Sequence, residues 1–475
     1  MAKVILVGLD CAEPTLVFDR WRDDLPNLRR LTAAGLYGPL RSCDPPITVP
    51  AWTCMMTSRD PGELGIYGFR NRKSHDYGAL GIASSLSVQE DRVWDVLGRA
   101  GRSVVVVGVP PTYPVQPVNG HLISCFLTPN LESVHTYPAG LRDEIRDWVG
   151  EYLFDVEGFR TDDKPALLSR IYDMTRKRFQ VLRRLIREKP WDFFMFVEMG
   201  VDRIHHGFWK FHDPGHVKHE RGNPYRDVIR DYYRYLDGEI GELLALTDEE
   251  TVILVVSDHG AKKMDGGVCI NEWLVREKFL KVESYPKQLT SPSQLEFDWG
   301  KTLAWGEGGY YGRIYLNVRG REPKGVIAPS DVPRVCADLK AGLEEMKDEY
   351  GKPLGTRVHF PADLYREVRG TAPDLIVYFG DLDWRSVGTL GHGAIHTREN
   401  DTGPDDANHD THGIFIMARK ADWDRTGEGA RPGAPLPGLT LYDVAPTLLR
   451  LFGLPVPAAM QGKPVSLSHA LPFFG

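Results

Sequence analysis

The strongest constraint on this chain is a recurrence. Short, β-branched apolar runs at residues 4–9, 104–109, 193–197, 252–256, 375–379 and 414–417 alternate with longer amphipathic stretches. Runs so short, and so little broken by polar residues, suit strands buried on both faces, as in a parallel sheet covered by crossover helices. Three of the amphipathic stretches, 25–34, 93–100 and 441–452, stop at Gly35, Gly101 and Gly453, where a helix C-terminus favours glycine. The pattern predicts an α/β fold with a three-layer core around a central, largely parallel sheet. A chain of 475 residues, 42% of them hydrophobic, carries enough apolar material for one large core with insertions. That composition excludes a predominantly disordered protein.

The strand rhythm fades between residues 267 and 372, where Trp, Gly and Pro mix with a Lys/Glu-rich helical stretch at 331–349. This segment is expected to be an inserted cap, leaving 1–266 and 373–475 as the core. A second insertion, at about 112–192, carries a polar helix around 167–188. Lys and Arg number 58 against 65 Asp and Glu, a formal charge of −7, so no global positive field exists to hold a nucleic-acid polymer. The six cysteines, Cys11, Cys43, Cys54, Cys125, Cys269 and Cys336, form no C-x-x-C pair, which argues against a disulfide framework or a thiolate zinc finger. The first apolar run stops at Asp10, short of a signal-peptide core, and no apolar stretch reaches the roughly 18 residues of a membrane span. The expectation is a cytoplasmic chain with no membrane partner.

Chemistry gathers at the ends of three runs. The first leads into Asp10, the third reaches Asp202 within a few residues, and the fourth leads into Ser257-Asp258-His259-Gly260. Ligands and catalytic groups of open α/β sheets collect at the carboxyl ends of the strands. In Val201-Asp202-Arg203-Ile204-His205-His206, an acid and an imidazole three or four residues apart can share one helix face, which leaves both His205 and His206 open. Near the last run, His409 and His412 offer a further imidazole, with His392 and His396 as competitors. Carboxylates and imidazoles without thiolates form the ligand set of a hydrolytic zinc or manganese centre, and four such segments suggest two ions. Thr48, between Pro46 and Pro50, is the candidate nucleophile, set against the plainer role of a helix N-cap.

Taken in order, these motifs resemble the alkaline phosphatase superfamily, and within it the type I phosphodiesterase and nucleotide pyrophosphatase branch. The landmarks are V-I-L-V-G-L-D at Asp10, P-P-I-T-V-P at Thr48, G-E-L-G-I-Y-G-F around Gly65, D-R-I-H-H at Asp202, S-D-H-G at Asp258, A-P-D-L-I-V-Y-F at Pro373 and N-H-D-T-H-G-I-F at His409. The closing L-Y-D-V-A-P-T-L-L-R-L-F-G-L-P-V-P extends the likeness to Pro457. The resemblance implies one divalent metal on Asp202, His206 and His409, and a second on Asp10, Asp258, His259 and the Thr48 oxygen, zinc before manganese. It selects His206 over His205 and His409 over His412.

The implied activity is a phosphodiesterase or nucleotide pyrophosphatase reaction on a small phosphate ester, including nucleotides, through a phosphothreonine at Thr48. Phosphomonoesterase, phosphonate hydrolase and phosphotransferase are the alternatives within the superfamily, and a non-catalytic metal-binding protein is the alternative outside it. Asn71 and Arg70 compete for the phosphate contact, because Leu64 replaces the usual histidine and Asn71 stands further along than the family pattern. Trp52, Phe69, Trp305 and Tyr310 are candidate pocket walls, and Arg72, Lys262 and Lys263 further candidate anion contacts. A dinucleotide-binding oxidoreductase fails because Leu9-Asp10-Cys11-Ala12-Glu13 lacks the glycine-rich loop and places acid where a pyrophosphate would lie. Sulfatase chemistry is disfavoured, since Thr48-Val49-Pro50-Ala51-Trp52 lacks the modifiable Cys or Ser and the Arg of that motif.

Overall fold

The computed structural model describes residues 3–78, 80–424 and 433–466. Residues 425–432 and 467–475 of the expected core segment lie outside that description. The central sheet has ten strands: β1 (Lys3–Leu9), β2 (Leu36–Arg41), β3 (Val104–Val107), β4 (Gly120–Ile123), β5 (Thr136–Tyr137), β6 (Phe193–Glu198), β7 (Thr251–Val256), β8 (His412–Arg419), β9 (Ala434–Pro435) and β10 (Leu439–Thr440). Its order is β9-β2-β8-β7-β1-β6-β3-β4-β5, with β10 beside β2. The middle of the sheet, β7-β1-β6-β3, is parallel throughout, and every residue of β3, β6 and β7 is buried.

The main helices are α1 (Pro26–Ala34), α2 (Thr48–Thr57), α3 (Lys164–Glu188), α4 (Gly200–His212), α5 (Val228–Leu244) and α6 (Val444–Leu451), with α2 buried along its whole length. One group packs α1, α3 and α4 around α5, and another sets α2 against α6. Together with the sheet they form the three-layer core, whose apolar cluster runs from Val4 to Phe452. Two of the predicted runs behave differently from expectation. Residues 414–417 do enter the central sheet, but antiparallel to both β7 and β2. Residues 375–379 do not enter it: Leu375–Tyr378 pairs with Gly312–Leu316 and Arg357–His359 in a separate antiparallel sheet completed by Ala304–Glu307. A short continuous apolar run fits any sheet covered on both faces, so periodicity alone cannot assign it to one.

That second sheet belongs to an apolar cluster of its own, from Val268 to Leu390, with the helix Val332–Glu344 packed on Arg357–His359. The segment expected to be a helical insertion carries α3 and also β4 and β5, which extend the edge of the central sheet. β2, which was not anticipated, bridges β8 to the two short parallel strands at the other edge.

One close approach ties the core to the chemistry. A Cβ at Gly8 in β1 would lie 2.7 Å from the Trp52 ring and 2.8 Å from the Phe196 carbonyl oxygen, so α2 reaches the sheet only because no side chain stands there. Gly8→Ala is therefore expected to lower the urea midpoint with an unchanged slope, a loss of about 1–3 kcal/mol as in other overpacked cores. A midpoint equal to the parent's would mean that α2 yields without cost.

Candidate active site

The ends of β7, β1 and β6 lie side by side, and each delivers one acid. Asp10 follows β1 directly, and its N–H donates to the Glu198 carbonyl at the end of β6 (3.1 Å). Just beyond, α4 places Asp202 in its first turn and His206 one turn on. β7 runs into Asp258 and His259, and the sharp exit is held by Ser257, whose Oγ donates to the His259 carbonyl (2.5 Å) and accepts from the Ala12 N–H (2.9 Å). The last imidazole arrives on a short antiparallel ribbon, Gly260–Lys263 with Ala407–Asp410, where Ala261 pairs with His409.

These side chains form two adjoining groups, Asp202/His206/His409 and Asp10/Asp258/His259, all buried, with ligand atoms within 4.8 Å of one another in each. In the first, His206 Nε2 lies 3.2 Å from Asp202 Oδ1 and 3.3 Å from His409 Nε2. In the second, His259 Nε2 lies 3.1 Å from Asp258 Oδ2 and 3.8 Å from Asp10 Oδ1. The His259 and His409 rings stack at 3.8 Å and join the groups.

Each of the three histidines has its other nitrogen against an acceptor: His206 Nδ1 on Asp405 Oδ1 (2.7 Å), His259 Nδ1 on the Gly260 carbonyl (3.1 Å) and His409 Nδ1 on the Pro46 carbonyl (3.0 Å). Assigned from these partners, Nδ1 carries a proton in each ring and all three Nε2 atoms face inward, each offering a lone pair when its ring is neutral. Trp52 Nε1 donates to Asp10 Oδ2 (2.7 Å) and the Cys11 N–H to Asp258 Oδ1 (3.2 Å), while Asp10 Oδ1 and Asp258 Oδ2 are buried with no hydrogen-bond partner among the described residues. Facing lone pairs and orphaned carboxylate oxygens in a buried place are what a cation would satisfy, and the all-N/O donor set fits divalent zinc or manganese.

The electrostatics carry the same strain. Burial, together with the neighbouring Asp202, pushes the Asp10 carboxyl well above its usual range, and burial together with Asp10 does so for Asp258. Burial works against ionisation of Asp202 too, but His206 and Arg203 beside it hold it well below that range. Burial lowers His259 to about 4 and, with His259 and His206 nearby, drives His409 down as well. His206 is raised to about 9, since Asp405 and Asp202 outweigh its burial.

The structure separates the histidines that spacing left open. His205 points away, stacked on Tyr233 and edge-on to Trp209, and exposed His412 lies beside the Thr411 hydroxyl. His392 meets the Thr389 hydroxyl, and His396 pairs with Val268 in another sheet. Thr48 is the first residue of α2, 3% exposed, with Oγ1 3.3 Å from His259 Nε2. It opens, with Asp202, His206 and His409, onto a cavity of about 430 Å³.

Phe69, Tyr310 and Arg70 also line this cavity. Asn71 is not among its lining residues: its Oδ1 accepts from the Tyr67 N–H (2.7 Å) and its Nδ2 donates to the Gly68 carbonyl (2.9 Å), so its amide braces the turn beneath Arg70. Five other expected wall or anion contacts are spent elsewhere. Trp52 is buried on Asp10, Trp305 packs with Tyr77 and Trp299, and Arg72 pairs with Glu322. Lys262 and Lys263 pair with Asp383 and Asp265. Sequence reasoning missed Asp405 and Arg160, which approach the site from loops, and Arg203, whose guanidinium bridges Asp202 and Asp155.

The type I phosphodiesterase / nucleotide pyrophosphatase family pattern matches residues 4–414. The chain belongs to this family. Among solved structures the fold is similar to human ectonucleotide pyrophosphatase/phosphodiesterase 5, at TM-score 0.55 and 12% identity, over 98% of this chain and 97% of that one. An inactive variant of the murine protein in complex with AMP superposes at 0.54 and 12%, covering 98% of each chain. Phosphonoacetate hydrolase from Sinorhizobium meliloti 1021, in complex with phosphonoformate, superposes at 0.58 and 16%, covering 94% of each. No curated protein sequence matches. As a family member the chain is a metal-dependent phosphoric ester hydrolase, and no helix among its described residues is long and apolar enough to cross a membrane.

The shifted groups make a prediction with a definite sign. At pH 7 in the metal-free protein, His206, raised to about 9, is protonated, and burial raises the Asp10 and Asp258 carboxyls in the same direction. Binding Zn²⁺ requires the His206 ring neutral, so titration in weak buffer is expected to release at least about one proton per chain. The release falls as pH rises through about 9, where His206 has already lost its proton. Proton uptake on binding would contradict the assignment.

Proposed function

We propose that the chain is a two-metal phosphodiesterase or nucleotide pyrophosphatase-type enzyme that passes the phosphoryl group through Thr48. The reading rests on one observation above others: Thr48 Oγ1 stands 3.3 Å from His259 at the junction of the two ligand groups and opens onto the cavity. In this reading Asp202, His206 and His409 hold one divalent ion, and Asp10, Asp258, His259 and the Thr48 oxygen hold the other, zinc before manganese. When bound, such ions neutralise phosphoryl charge and orient the attacking and leaving oxygens.

The chain's own residues do the rest. Thr48 heads α2, so the positive end of the helix dipole lies at the hydroxyl, where anionic charge develops. The Thr48 Oγ1–P bond forms as the P–O bond to the leaving group breaks, and the hydroxyl proton departs on the leaving oxygen. Water then cleaves the Thr48–phosphoryl ester and returns the hydroxyl with its proton. Arg70, exposed at the rim and without an ion-pair partner among the described residues, is the proposed contact to a nonbridging phosphate oxygen; Asn71 supports its turn. Phe69 and Tyr310 offer apolar faces to the organic group of a small diester, a nucleotide being the leading class because a structural neighbour holds AMP. A phosphonate substrate is the second reading, favoured by the phosphonoacetate hydrolase likeness and by Arg70, which could meet an additional acidic group. Six free, buried thiols fit a reducing compartment and support the cytoplasm as the proposed location.

Chelation is expected to abolish hydrolysis, and Zn²⁺ or Mn²⁺ to restore it. Thr48→Ala should lower kcat by several orders of magnitude while retaining the ion on Asp202, His206 and His409, and Thr48→Ser should keep substantial rate because the hydroxyl survives. The murine neighbour is inactive when one threonine is replaced by alanine, a parallel in kind. A substrate chiral at phosphorus should emerge with net retention, since two inversions cancel. Net inversion would eliminate the Thr48 ester in favour of direct attack by water.

The segment 267–372 is the proposed determinant of substrate choice, because it supplies Tyr310 to the cavity wall. Tyr310→Ala should reorder a series of aryl diesters, monoesters and phosphonates. Equal loss on every substrate would reduce Tyr310 to packing.

A further inference from the structure

Asp405 lies in the loop leading into the ribbon strand Ala407–Asp410, its side chain wholly buried. Its two oxygens divide their partners. Among the described residues Oδ1 accepts only from His206 Nδ1, at 2.7 Å. Oδ2 accepts from Arg160 Nε (2.9 Å) and from the Tyr310 hydroxyl (3.1 Å), with Arg385 Nη1 at 3.8 Å. Arg160 Nη2 in turn donates to the Tyr310 oxygen (2.5 Å), which closes a ring of hydrogen bonds. The Tyr310 ring lies over His206 at 5.0 Å and over His409 at 4.3 Å.

We propose that Asp405 is a positioning residue that holds His206 in its cation-binding tautomer and rotamer and anchors the cavity wall to that ligand. An imidazole on a helix can rotate about its χ2 bond and can carry its proton on either nitrogen. A buried carboxylate on Nδ1 removes both freedoms and leaves the Nε2 lone pair on Asp202 and His409. Burying that anion would be costly without compensation, and Arg160 and Arg385 supply it on the opposite oxygen. An Arg160–Asp405 pair serving stability alone would have no need to reserve one oxygen for His206. The tie to Tyr310 has a second consequence: the residue that shapes the cavity is fixed to the same carboxylate as the ligand.

This inference rests on the two-metal reading above, and the experiment separates the two. Zn²⁺ is titrated into metal-free full-length parent and Asp405→Asn proteins against a chromophoric chelator. The parent is expected to bind two ions. In Asp405→Asn one ion should weaken by about 10- to 100-fold, the range for lost carboxylate–histidine support, while the other keeps its affinity. Unchanged affinity for both ions, or equal weakening of both, overturns the role of Asp405; fewer than two ions in the parent overturns the two-metal reading and this inference with it. Should Asp405→Asn fail to fold, long-range ¹H–¹⁵N correlation of the Zn²⁺-loaded parent decides: a slowly exchanging proton on His206 Nδ1 is expected, and a proton on Nε2 refutes the proposal.

Discussion

Three carboxylates, Asp10, Asp202 and Asp258, are buried within reach of one another at the ends of adjacent strands, and much of the surrounding architecture answers to that arrangement. Like charges out of water repel and lose hydration, so each needs a specific answer. Asp202 receives Arg203, itself balanced by Asp155. Asp10 receives the indole N–H of Trp52, and Asp258 the backbone N–H of Cys11. One oxygen of Asp10 and one of Asp258 are left over, and they point to the place where the imidazoles also point. The protein solvates these acids only partly, which is the condition under which a cation binds strongly.

The parallel order β7-β1-β6 brings the carboxyl ends of three strands to one edge, but a sheet alone supplies no group from above that edge. The antiparallel ribbon does so, carrying His409 over the strand ends, and α2 enters from the side with Thr48. Both arrivals depend on small details of packing. Asn408, beside His409, donates to the carbonyls of Leu382 and Tyr310, which secures the ribbon to the segment bearing the cavity wall. The absence of a side chain at Gly8 admits the Trp52 ring.

What could be read in the residues depended on whether the information was local. Asp10 and Asp258 stand directly after apolar runs, so their place at strand ends was legible from order alone. Helical spacing narrowed the Asp202 partner to His205 or His206, and only the family resemblance chose; the structure turns His205 toward Tyr233. Leu375–Tyr378 misled because a buried run looks the same in either sheet. Asp405 carried no signal: one of several acids in a polar loop, beside Asp406, it acquires meaning only when folding sets it against His206, Arg160 and Tyr310. Asn71 was plausible by its neighbours, yet its amide matches the turn's own N–H and C=O.

The hydrogen bond from His409 Nδ1 to the Pro46 carbonyl joins one of the clustered imidazoles to a residue only two positions before Thr48. Through Ile47, the covalent path from that carbonyl to the threonine is too short to bend independently, and prolines at 45, 46 and 50 stiffen it further. The separation of imidazole and hydroxyl is thus set by one hydrogen bond and one short, proline-stiffened stretch of backbone, and a shift of the ribbon has a direct covalent route to the hydroxyl.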